Sequence, residues 1–240
     1  MIYASLPALH KQGSNEDGVL VLWRGDAFVL LAVADGMGGG PNGEDAARVT
    51  LQALVRAVEV QGCAVDVLSA LDGANAQVQR EYPGAGCTVA VAVIENDNQV
   101  RTYHVGDAAI FWVGGRGKSK YRSTDHGPVG YALASGFLDE HDAMFHPERH
   151  FVTNYVGSET MSIDVGPPIQ MLARDTLLVC SDGVTDNLFS DEILNTVSVR
   201  PLGDAILDLL ALVAMRTREE HGPPIPHHPD DVSVILYRFS

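Results

Sequence analysis

Hydrophobic positions in this chain alternate between short unbroken runs and stretches with helical spacing. Val19 to Trp23 and Ala27 to Ala34 read as strands around Arg24-Gly25-Asp26, a short hairpin-like connection. Residues 44–60 then place Ala47, Leu51, Leu54, Val55 and Val58 on one helical stripe that ends before Gly62. A second helix follows directly over 66–82, with Leu68, Leu71, Asn75 and Val78 turned inward and Pro83-Gly84 as its stop. Apolar, β-branched segments at 87–95, 99–105 and 108–113, separated by turn residues such as Asn96-Asp97-Asn98, predict an antiparallel meander. Residues 170–173 and 176–181 flank Arg174-Asp175 as a further hairpin. Ile206, Leu209, Leu210 and Val213 give 204–217 a helical stripe, and VSVILYRF forms a closing strand. Hairpins interleaved with helix pairs predict an α+β fold of stacked antiparallel sheets with helices outside. Residues 126–158, weakly periodic and holding four histidines, predict a partly irregular excursion over the sheets.

Composition narrows the classes of function. The 240 residues carry no Ser/Gly-rich or Pro-rich linker, which predicts a single domain over 1–240, and a hydrophobic fraction of 46% supplies its core. A formal net charge of -15 argues against nucleic-acid and anionic-membrane partners, both of which need clustered Lys and Arg. It also repels a phosphorylated substrate unless bound cations reverse the sign locally. Cys63, Cys87 and Cys180 are odd in number and far apart, with no CxxC pair, so neither a disulfide framework nor a zinc site is indicated and a cytoplasmic setting is expected. No stretch approaches the ~18 apolar residues of a membrane span.

The chemistry lies in the acids. Asp35, in FVLLAVADGMGG, and Asp182, in DTLLVCSDGVTD, each end an apolar run and precede glycine, so each carboxylate sits where a buried strand meets solvent. Asp-Gly alone is a common turn dipeptide, glycine being free to take positive φ. The pair gains weight from Asn15-Glu16-Asp17 near the start and Pro229-Asp230-Asp231 before the last strand. Carboxylates gathered at strand ends repel unless a cation lies between them, which points to a hard oxygen-ligated ion. Gly38 to Gly43 also satisfies G-x-G-x-x-G between a predicted strand and helix, the dinucleotide fingerprint. That reading needs a second parallel strand after the helix, where another helix is predicted instead.

SNEDG, VADGMGG, GCTVAVAVI, HVGDA, STDHG, SDGVTD and DDVSVIL, in this order over nearly the whole chain, resemble the metal-dependent protein phosphatases of type 2C, particularly their compact bacterial members. The resemblance implies an α-β-β-α sandwich in which two antiparallel sheets are flanked by helix pairs, with 126–158 as the flap beside the active site. It implies that Asp35 bridges two ions, that the Gly36 carbonyl binds one of them, and that Asp182 and Asp230 ligate the first. Asp35 and Asp182 are thus the expected catalytic centre. Glu16 and Asp17 resemble the early acidic pair that mainly holds metal-bound waters. Asp186 and Asp125 resemble the acids of a weaker third site. Oxygen ligands select Mn²⁺ or Mg²⁺, and two such ions ~4 Å apart activate a bridging water for in-line attack on phosphorus. The implied substrate is phosphoserine or phosphothreonine in a protein, opposite a Ser/Thr kinase.

Departures from the family pattern bear on substrate capture. Gln12 stands where an arginine normally grips the phosphate, leaving Lys11 or His10 as the nearby cationic groups. This substitution prompts an alternative, a weakly active or non-catalytic regulatory module that binds a phosphorylated partner. Met37 replaces the histidine that eukaryotic relatives place after the first Asp-Gly, and Gly106-Asp107-Ala108-Ala109 replaces Gly-Asp-Ser-Arg, with Asp107 read as structural. His141, His146, His150, His221, His227 and His228 are read as polar loop residues, Cys87 and Cys180 as buried thiols, and Trp23 and Trp112 as core or sheet-face residues.

Overall fold

The computed structural model describes residues 1–9, 11, 13–38, 42–61, 66–198, 200–218 and 226–239. In chain order the elements are β1 (Ile2–Leu6), β2 (Asp17–Trp23), β3 (Phe28–Gly36), α1 (Gly43–Gln61), α2 (Val67–Glu81), β4 (Cys87–Glu95), β5 (Gln99–Val105), β6 (Ala109–Val113), β7 (Ser119–Arg122), α3 (Pro128–Ala134), α4 (Glu140–Met144), β8 (Asp164–Val165), β9 (Ile169–Gln170), β10 (Thr176–Cys180), α5 (Asp182–Thr185), α6 (Ser190–Ser198), α7 (Leu202–Arg216) and β11 (Val232–Arg238). One sheet runs β1-β11-β10-β6-β7, the other β2-β3-β4-β5-β8 with β9 also on β5, and every pairing is antiparallel.

Three apolar layers explain why the central strands are hydrophobic on both faces. Leu30, Ala32 and Ala34 of β3 pack against α1 and α2, while Val29, Leu31 and Val33 face the other sheet with Ile110, Leu177, Val179 and Ile235. Leu178, Cys180, Val234 and Leu236 turn the opposite way, onto α6 and α7. Helices therefore cover both outer faces, the α-β-β-α sandwich. Each fully buried Leu, Ile or Val contributes roughly 1.5–3 kcal/mol.

Strand period now places the acids. Continuing the alternation of Val29, Leu31 and Val33 by two puts Asp35 on the inter-sheet face, and the same step from Val21 and Val19 puts Asp17 there. Asp17 and Asp35 are direct cross-strand partners. Ser181, Ser233 and Asp231 follow from Val179 and Ile235 in the other sheet. One end of the sandwich thus gathers polar groups between the sheets.

Several sequence expectations are corrected. Residues 108–113 do not continue the 87–105 meander: β6 crosses to the other sheet and pairs with β10 and β7. The crossing occurs at Gly106, whose φ of 94° brings it so close to Thr88 that a Cβ would lie 2.5 Å from that side chain. The expected hairpin around Arg174-Asp175 is also absent, because β9 joins β5 while β10 sits between β6 and β11. In α2 the buried face is Val67, Ala70, Leu71, Ala74 and Val78, with Leu68 exposed. Trp23 is exposed at an edge strand, whereas Trp112 donates from Nε1 to Asp175 at 3.0 Å beneath Lys120. The dinucleotide reading fails on topology: β3 has only antiparallel neighbours and α1 leads into α2, although Gly39, Gly40 and Pro41 lie outside the described residues.

Candidate metal centre

Asp17, Asp35, Asp107, Asp182 and Asp186 converge at the polar end of the sandwich, with Asp125 and Asp230 at its edges. Asp17 accepts from Ser181 Oγ at 2.8 Å. Asp35, near the end of β3, and Asp182, which opens α5 just after β10 of the other sheet, lie close enough for each to feel the other's charge. Burial and then the charges of Asp182, Asp17 and Asp107 push Asp35 well above the ordinary carboxylate range, and burial with Asp107, Asp186 and Asp230 does the same to Asp182. Burial raises Asp17 to about 6, against the Ser181 hydroxyl, and raises Asp107 to about 7 with the charges of Asp186 and Asp125. Asp230, less enclosed, is raised by its burial. Asp17 Oδ1, Asp125 Oδ1 and Asp182 Oδ1 are buried oxygens without a hydrogen-bond partner. Mutually repelling carboxylates with unsatisfied buried oxygens fit divalent cations, which restore both the charge and the missing contacts.

The metal-free protein should carry a corresponding pH signature. Asp17 and Asp107 have folded values above an ordinary 3.8, so their contribution to stability is complete below about pH 4 and is lost as pH rises through 6 to 7. In chelator, the melting temperature is expected to fall across that window, and Asp107→Asn to flatten the upper part. A calorimetric series showing no difference between Asp107→Asn and the parent chain would remove this explanation.

Both Asp-Gly glycines are required for close packing, and neither takes a positive φ. A Cβ on Gly36 would meet the Gly43 backbone at 2.4 Å and the Glu16 carbonyl at 2.9 Å. On Gly183, inside α5, it would meet the Asp231 carbonyl at 2.0 Å. The glycines let neighbouring backbones carrying other candidate ligands approach.

Lys11, expected near the substrate phosphate, instead donates to Asp231 Oδ2 at 2.6 Å and Glu16 Oε2 at 2.9 Å. Asp231 also accepts from the backbone N–H of Ala8 and Glu16, and is 2% exposed. Burial works against the Lys11 charge, but the bonds to Asp231 and Glu16 raise its pKa overall. Lys11 thus holds the N-terminal segment and Glu16 against the start of β11. Lys11→Met is expected to cost roughly 2 kcal/mol in urea unfolding, below the ~3–5 of a fully enclosed pair because two backbone donors remain, and Lys11→Met/Asp231→Asn to regain most of it. An additive double mutant would show that the pair does not act as one. Gln12 and His10 lie outside the described residues.

Asp186 is held by two side chains. Its Oδ1 pairs with Arg149 at 2.7 Å and its Oδ2 lies 2.8 Å from His150 Nδ1. Burial opposes its ionisation, but the His150 bond and the Arg149 charge prevail and lower its pKa. Asp125 Oδ2 lies 3.4 Å from Arg122. Asp107, read from sequence as structural, sits fully among the acids. The run HVGDA carried no sign of that burial, which arises from the strand crossing. Arg149 was likewise missed.

The layered fold and the converging acids define a class: α-β-β-α proteins with a carboxylate centre for divalent cations. The sequence profile described as protein phosphatase 2C matches residues 8–218, and the chain belongs to that family. The protein phosphatase PhpP of Streptococcus pneumoniae serotype 2 (strain D39) is 29% identical over 208 residues, covering 81% of this chain and 83% of that protein. The crystal structure of the serine/threonine phosphatase Stp1 from Staphylococcus aureus superimposes with a TM-score of 0.86 at 22% identity, covering 100% of this chain and 94% of that one. The catalytic domain of serine threonine protein phosphatase PstP in complex with two manganese ions gives 0.73 at 22% identity, covering 98% and 95%.

Proposed function

We propose that this protein is a divalent-metal-dependent phosphatase that hydrolyses phosphoserine and phosphothreonine in proteins. The observation that carries the reading is the convergence of Asp35 and Asp182 from opposite sheets, with Asp17 and Asp230 beside them and buried carboxylate oxygens lacking partners. Asp35, Asp182, Asp230 and the Gly36 carbonyl would hold two ions, Mn²⁺ or Mg²⁺, with Glu16 and Asp17 positioning water and Asp125 and Asp186 as candidates for a third. When bound, such ions supply an activated water and neutralise charge on the phosphoryl oxygens.

The chain's own residues set the rest. The inter-sheet core closes the inner side of the centre against water, so its charges act at low dielectric. Met37 offers no proton to the departing alkoxide. Arg149 donates to the Thr185 carbonyl at 2.6 Å and pairs with Asp186, and Lys11 is paired as well, so neither cation stands free for phosphate. Among the described residues, Lys11 and Arg149 thus leave capture of the phosphate to the ions and to other groups. Gln12→Arg is expected to lower KM for a phosphopeptide by roughly tenfold, the scale of one added charge-assisted hydrogen bond. An unchanged KM in steady-state kinetics would mean that another group already makes this contact. A reading as a binding module predicts complex formation with a phosphopeptide and no phosphate release at saturating Mn²⁺. The expected context is cytoplasmic, opposite a Ser/Thr kinase; among the described residues no helix is long and apolar enough to cross a membrane.

A further inference from the structure

At the rim of the aspartate centre lies a group whose donors are not all oxygen: His150, Asp186 and His228. His150 comes from the excursion after α4, Asp186 ends α5, and His228 precedes β11. One potential ligand atom from each lies within 4.8 Å of the other two. His150 Nδ1 is 2.8 Å from Asp186 Oδ2, and the imidazoles of His150 and His228 stack with centroids 3.8 Å apart.

The framework is fixed before any ligand arrives. Asp186 is held by Arg149, and Asn187, the next residue, donates to the His228 carbonyl and accepts from the His228 N–H, each at 2.8 Å. Both imidazoles reach solvent, His150 being 44% and His228 35% exposed, so an ion has an entry path. Among the described residues no backbone N–H occupies either ring. A second group, His104, His126 and Asp164, shows why this matters. There His126 Nδ1 accepts from Gly106 N–H at 3.1 Å and lies 2.7 Å from Asn154 Nδ2, so the ring proton sits on Nε2, facing Asp164 at 3.2 Å, and His126 has no lone pair left for a metal.

Two imidazoles with one carboxylate suit zinc, cobalt or nickel better than Mg²⁺. We propose that His150, Asp186 and His228 form a binding site for one divalent cation of the zinc class, which shares Asp186 with the expected third position of the acid cluster and lies apart from the two ions proposed at Asp35. A cation held there joins the excursion to α5 and to the segment before β11.

The test titrates Zn²⁺ calorimetrically into the full chain saturated with Mg²⁺, which fills the oxygen centre, and repeats it with Co²⁺ followed by visible absorption. The parent chain should bind one equivalent of Zn²⁺ and give a nitrogen-ligated Co²⁺ spectrum. His150→Ala/His228→Ala should lose both while keeping the parent's circular dichroism spectrum in chelator, and Asp35→Asn should keep both. Binding that survives the double histidine variant, or that disappears with Asp35→Asn, would place zinc in the oxygen centre and overturn the proposal, as would no binding at all. Mg²⁺-dependent phosphate release without zinc tests the phosphatase reading separately.

Discussion

Asp35→Asn is expected to reduce Mn²⁺-dependent phosphopeptide hydrolysis by at least about a thousandfold in kcat, the upper scale for losing one preorganised electrostatic group. The substitution keeps the shape of the side chain and removes the charge on which the proposed centre turns. Asp35 is half-buried on the inter-sheet face, opposite Asp17 and within reach of the Asp182 charge, so the same change relieves repulsion and desolvation in the metal-free protein. Its melting temperature in chelator should therefore rise above that of the parent chain while its gain on adding Mn²⁺ shrinks. The parent should gain about 2.7 kcal/mol at a hundredfold excess of Mn²⁺ over Kd. Activity lost together with metal-free stability would indicate a damaged fold, and retained activity would remove Asp35 from the centre.

Gly183→Ala should damage stability and activity together. The added methyl would lie 2.0 Å from the Asp231 carbonyl oxygen and 3.0 Å from its carbon, backbone that cannot rotate away, and 3.1 Å from the Val232 side chain. Relief requires α5 to move off the start of β11, which separates Asp182 from Asp230 and loosens the Asp231 contacts to Lys11 and Glu16. A cost of about 3 kcal/mol, the high end for overpacking, is expected in denaturant unfolding, with weaker Mn²⁺ binding in titration. The exposed Gly73 has open space around its Cβ position, and Gly73→Ala in the middle of α2 should instead be neutral to stabilising.

The parts of the fold that sequence reveals are those where local pattern and burial coincide. β3 and β4 are continuous apolar runs because sheet covers one face and helix the other; the α7 stripe follows its buried face, and in α1 Ala47, Leu54 and Val58 are buried as expected while Leu51 and Val55 are only half-buried. Which sheet a short run joins is a different matter. Residues 108–113 and 170–173 carry strand signals that are silent about the partner, and the partner is set by the crossing at Gly106 and by packing far away in sequence. β1 escaped notice because it is a half-exposed edge strand. The candidate ligands were legible as ordered acids after apolar runs, since a strand ending in a carboxylate delivers it to the sandwich rim. Asp107 was not, because its burial depends on both sheets at once. The pairing of Lys11 with Asp231 and the stacking of His150 on His228 join segments more than 70 residues apart, and spacing along the chain says nothing of either.

Anomalous scattering from crystals grown with Mn²⁺ bears most directly on the dimetal centre. Two peaks about 4 Å apart, both within coordinating distance of Asp35 and one also reached by Asp182 and Asp230, are the predicted result. A map with no peak at Asp35 would contradict it.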